Sequence, residues 1–81
     1  MKTKKEFDEY IGELIDNTAK LKAEYREELR DGEITDENCD LLFDQADSNL
    51  DSELRIVYGW ALEHMSEEEA DELFAKHNIY Y

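Results

Sequence analysis

Proline is absent from these 81 residues and glycine occurs three times. A many-turned β fold needs that punctuation, whereas long helices are disturbed by it, so the composition points to helices. Cysteine occurs once, at Cys39, which excludes an intramolecular disulfide and fits a reducing compartment. No apolar run approaches the roughly 20 residues of a membrane-spanning helix. The segment Met1-Lys2-Thr3-Lys4-Lys5 is basic, but Glu6, Asp8 and Glu9 follow where a signal peptide requires an apolar stretch. A cytoplasmic location is therefore expected.

Basic residues are scarce as well, nine against 23 acidic, for a net charge of −14. Self-repulsion on this scale costs stability, and a bland scaffold has no need of it. The charge disfavours direct contact with nucleic acid, whose phosphates it repels, and with an anionic membrane surface. A basic protein surface is the natural complement. The distribution is uneven: residues 1–30 hold seven basic and eight acidic side chains, residues 31–81 two basic and fifteen acidic.

Apolar residues make up 41% of the chain, enough for a core, so the sequence is read as folded, with residues 1–81 as a single domain. The expected fold is all-α, a small three- to four-helix bundle with a long N-terminal helix. Thr3 and Glu6 have the spacing of a capping box, and Phe7, Ile11, Leu14, Thr18, Leu21 and Tyr25 repeat every three or four residues, which predicts a helix over Lys4 to Arg30. Gly32 stands where a left-handed C-terminal cap is expected. The same stripe reads as heptads. It either packs on the later helices or pairs two copies into a homodimer, and the former is preferred because those helices have apolar faces of their own.

A second helix is predicted over Asp36 to Asp47, capped by Thr35, with Cys39, Leu42, Phe43 and Ala46 inward. Ser48-Asn49-Leu50-Asp51-Ser52 is rich in side chains that compete for backbone hydrogen bonds, so a break or kink is expected there. A third helix follows to about His64, with Leu54, Val57, Tyr58 and Ala61 on one face and Ile56 and Trp60 on another. A fourth starts at Ser66, whose capping-box partner is Glu69, and ends near His77 or Asn78, leaving Ile79-Tyr80-Tyr81 as an apolar tail.

No cofactor, metal or catalytic machinery is expected. Asp47, Asn49 and Asp51 imitate the start of a calcium loop, but Ser52 replaces the required glycine and Tyr58 the bidentate glutamate. Cys39, His64 and His77 lack zinc spacing, and no glycine-rich phosphate loop occurs. Cys39 falls on a predicted core face, where the residue acts as a small hydrophobe.

One pattern is more specific than composition. Asp36, Asp40, Asp44, Asp47 and Asp51 recur at intervals of four, four, three and four. At about 100° per residue they fall within roughly 80° of one helical face over about 22 Å, with neighbours about 6 Å apart, near the spacing of phosphates on a strand. All five are aspartate, a mediocre helix former, and no lysine or arginine lies between Asp31 and Ser52 to neutralise them. The simplest explanation is a solvated helix face. The lack of nearby compensation favours a row that occupies a Lys/Arg groove built for DNA or RNA.

In its small size, helical character and acidity the chain resembles a functional class, the phage-encoded nucleic-acid mimics that inhibit restriction, CRISPR or repair proteins. The resemblance is one of composition and carries no residue assignments. The expected function is inhibition of a basic nucleic-acid-handling protein through the aspartate row, with Glu33, Glu37 and the Glu67–Glu72 cluster as further anions, and Trp60, Ile56, Tyr80 and Tyr81 as apolar anchors. The alternative is an immunity, antitoxin or regulatory module that docks through its apolar helical patch.

Overall fold

The structure, a computed structural model, describes residues 2–81. Three helices follow one another: α1 (Lys4–Arg30), α2 (Asp36–Ala61) and α3 (Glu67–Ala75), with no strand among the described residues. The chain is therefore all-α.

Each helix starts on a hydroxyl cap. Thr3 accepts from the Glu6 N–H at 3.2 Å, Thr35 from the Asn38 N–H at 3.1 Å and Ser66 from the Glu69 N–H at 3.1 Å. At Ser66 the Glu69 carboxylate also accepts from the Ser66 N–H, completing the capping box. α1 ends as expected on Gly32, at φ 78°. The Gly32 N–H reaches the Leu29 carbonyl and the Glu33 N–H the Glu28 carbonyl, the paired bonds of a Schellman turn. The last turn after α3 closes in the same manner on Asn78, at φ 61°, with the Ile79 N–H on the Phe74 carbonyl.

The expected break at Ser48–Ser52 is absent. α2 runs through it without interruption, so what was read as two helices is one of 26 residues. Ser48, Asn49, Asp51 and Ser52 are exposed, so water and neighbouring side chains satisfy their polar groups and the backbone keeps its helical bonds. The core positions Cys39, Phe43, Ala46, Leu50, Leu54, Val57 and Ala61 form one unbroken stripe of three- and four-residue steps, and Leu50 itself packs against the core. Tertiary packing overrides the local propensity.

α1 and α2 form an antiparallel hairpin, with Phe7 beside His64 at one end and Tyr25 beside Phe43 toward the other. The hairpin sets the length of a molecule that measures 48 × 18 × 17 Å. α3 folds back over one end only. There Phe7 and Ile11 of α1, Leu54, Val57 and Ala61 of α2, and Ala70, Leu73 and Phe74 of α3 close a single core. Beyond it, Cys39 and Ala46 are the only buried residues among those described, so half of the hairpin stands without a third helix. The stripe of α1 is engaged within the chain at its N-terminal half, where Tyr10, Leu14 and Ile15 also pack against the core.

The C-terminal residues are not a loose apolar tail. Ile79 packs on the core, and the Tyr81 ring meets those of Tyr58 and Phe74 at 5.6 and 5.9 Å. The Arg55 guanidinium lies 4.7 Å above the same ring. Tyr80 remains 76% exposed.

Candidate functional site

Because α2 is continuous, Asp36, Asp40, Asp44, Asp47 and Asp51 share one helix, and all five are exposed. They run beside the seam between α2 and α1, on the side where α3 and the C-terminal residues lie. Tyr58 of that side donates its hydroxyl hydrogen to Asp71 of α3, and the Tyr81 hydroxyl meets the Asp51 carbonyl and carboxylate at 3.5 and 3.4 Å.

The expectation that nothing neutralises the row requires correction. Lys22 of α1 reaches across the seam and places its ammonium 2.9 and 3.2 Å from the two oxygens of Asp47. Arg55, one turn beyond Asp51, donates to its carboxylate at 2.9 Å, and this bond raises the Arg55 pKa. Two of the five charges are thus paired inside the molecule. The Arg55 pair is visible in the sequence as an i,i+4 step. The Lys22 pair joins residues 25 positions apart and depends on the hairpin.

Asp36, Asp40 and Asp44 make no ion pair among the described residues, and neither do Glu33 and Glu37. All five are exposed and lie at the hairpin tip or on the adjoining turns of α2. Phe43, on the same stretch of α2, is covered by Lys22 and Arg26 of α1, whose cationic groups sit 5.1 and 5.0 Å from its ring centre. Lys22 thus contacts both the Phe43 ring and Asp47, whereas Arg26 contacts the ring and makes no ion pair with the row among the described residues.

Ile56 and Trp60 belong to a different surface. They lie at least about 120° round α2 from every aspartate of the row. Both are open to solvent, 55% and 46% exposed. The structure therefore does not bring the two sets of expected binding residues together. Of the other expected apolar anchors, Tyr80 is free to contact a partner and Tyr81 is committed to the aromatic cluster.

The remaining polar contacts are structural. Asp8 of α1 meets His77 Nε2 at 2.6 Å and the Lys76 ammonium at 3.6 Å, tying the end of α3 to α1. The bond from His77 holds the Asp8 carboxyl below its ordinary pKa, with Lys76 adding to the effect. The bond to Asp71 pushes the Tyr58 hydroxyl up to about 12. Asp47, Asn49 and Asp51 point outward from a regular helix, not into a calcium loop, and no cluster of three or more His, Cys, Asp or Glu side chains suited to a metal ion occurs among the described residues. Among those residues no helix is long and apolar enough to cross a membrane. No protein-family model, no curated protein and no solved structure matches this chain.

Proposed function

We propose that this protein works by binding and not by catalysis, and that it inhibits a basic, nucleic-acid-handling protein by presenting carboxylates in place of phosphates. The observation that carries the reading is the uninterrupted α2, which holds the aspartates in one row and leaves Asp36, Asp40 and Asp44 exposed and unpaired. Glu33 and Glu37 extend that charge round the hairpin tip. Rigid anions spaced at one helical turn offer a Lys/Arg groove a prearranged surface, so little side-chain entropy is lost on docking. Asp47 and Asp51 serve a second purpose here, as internal anchors for Lys22 and Arg55.

The direct test is the variant Asp36→Asn/Asp40→Asn/Asp44→Asn. It removes the unpaired charges while sparing the Lys22–Asp47 and Arg55–Asp51 contacts, so the fold is retained. The wild-type protein, immobilised and exposed to a bacterial lysate at low salt, should retain a basic protein that DNA or RNA oligonucleotides displace. Retention should weaken steeply as salt rises, and the triple variant should bind that protein at least about tenfold more weakly. A folded triple variant that holds the same protein as tightly as wild type overturns the proposal. Retention that resists salt and nucleic acid favours the regulatory-module reading, for which the exposure of Ile56 and Trp60 is the supporting observation.

A further inference from the structure

The hairpin has two grooves along its seam, and the fold fills one of them in part. α3 and the C-terminal residues cover the side that carries Tyr58 and Asp8. On the opposite side a groove of about 300 Å³ lies between the helices, with Leu14, Thr18 and Leu21 of α1 facing Ala46, Asn49 and Leu50 of α2. No residue of α3 or of the C-terminal segment contributes to its walls.

Helical geometry extends this groove in both directions. On α2, Leu42, Asn49, Glu53 and Trp60 are separated by seven, four and seven residues, which places them on one line at about 100° per residue. On α1, Tyr10, Leu14, Asn17 and Leu21 follow steps of four, three and four along the facing wall. Thr18 and Ala46, both with short side chains, line the groove between the larger residues. Leu21 and Trp60, large apolar residues on this side, are 38% and 46% exposed. A strip of this shape is what one more helix needs in order to pack across a helical pair, as α3 does on the other side.

The rim decides what kind of helix fits. Glu13, Glu24 and Glu28 flank the groove on α1 and Glu53 on α2, and none of them makes an ion pair among the described residues. Lys20 is the one basic residue of α1 turned toward this edge. A second copy of the chain would set glutamates against glutamates, which opposes self-association. A helix with an apolar stripe and Lys/Arg flanks satisfies both floor and rim. We infer that the α1/α2 groove opposite α3 is a docking site for a cationic amphipathic helix of a partner protein. The site is separate from the aspartate row, on the other side of α2, and it stands whether or not the row mimics nucleic acid.

The test uses the full chain and three synthetic peptides of about 18 residues, long enough to span about 27 Å as a helix. One has leucine at helical i, i+3, i+4, i+7 positions with lysine elsewhere. The second has the same composition with the leucines scrambled, and the third carries glutamate in place of lysine. The patterned lysine peptide should bind, become helical, and shift the amide resonances of Leu14, Leu21, Ala46 and Asn49. The scrambled and glutamate peptides should bind at least about tenfold more weakly. Leu21→Gln removes an anchor and Asn49→Trp fills the groove. Both alter exposed positions, and with folding confirmed by circular dichroism each should weaken the patterned peptide about tenfold. Asp36→Asn/Asp40→Asn/Asp44→Asn should leave that affinity nearly unchanged, which separates this site from the row. The inference is overturned if the patterned peptide fails to bind, if it binds no better than its scrambled form, or if its shifts map to Asp36–Asp44. Self-association that Leu21→Gln abolishes also overturns it and assigns the groove to a second copy.

Discussion

At the scale of single residues, the side chains that determine the shape of the molecule are mostly small and polar. Thr3, Thr35 and Ser66 start the helices, and Gly32 and Asn78 turn the chain out of them through positive φ. Asp8 does a different task, since it fastens the end of α3 to α1 through His77 and Lys76. Its pKa is lowered in the folded protein, so it favours folding above the ordinary carboxylate range. That contribution is lost as pH falls through the lowered value. Asp8→Asn should therefore reduce stability at neutral pH, and the gap from wild type should close in acid. The Asp8 side chain is 35% exposed, which limits the effect to below about 1 kcal/mol. Urea midpoints of the two proteins measured from pH 7 down to pH 3 check this. A gap that widens in acid contradicts the assigned role.

At the scale of elements, the decisive feature is the continuity of α2. Local chemistry at Ser48–Ser52 argues for a turn, and the apolar stripe through Ala46, Leu50 and Leu54 argues for a helix. The stripe wins because it buries side chains against α1, and a solvated serine or asparagine on the outer face loses only a few tenths of a kcal/mol of propensity. Proline distinguishes a turn from a helix at this place. Asn49→Pro would be tolerated near the start of a new helix, but inside a continuous one it removes a backbone bond and clashes with the preceding turn. It should cost about 3 kcal/mol or more, seen as a lower urea midpoint and a loss of helical circular dichroism. A variant as stable as wild type would restore the two-helix arrangement.

At the scale of the whole molecule, stability is distributed unevenly. The core that unites the three helices sits at one end, and the hairpin tip has little beneath it besides Cys39 and Ala46. The unpaired acids Glu33, Asp36, Glu37, Asp40 and Asp44 are gathered at that thinner end, where repulsion opposes helix pairing. Amide exchange should accordingly be faster in α2 around Asp40–Asp44 than around Leu54–Val57, and moderate salt should raise the melting temperature by screening the repulsion. Uniform protection along α2, or a melting temperature that falls with added salt, would show that the tip is not the weak end.

The sequence by itself determined the helical character, the starts and caps of the three helices, the left-handed turn at Gly32 and the periodic aspartates, because each depends on residues within about one turn of one another. It also marked Ile56 and Trp60 as lying off the core face of their helix. Only the tertiary structure decided that α2 is one helix, since burial of Leu50 against the core outweighs the local preference for a break. The pairing of Lys22 with Asp47 belongs there too, as do the docking of Tyr81 on Tyr58 and the groove opposite α3. Each joins segments far apart in the chain, and the antiparallel α1/α2 seam is what brings them within reach.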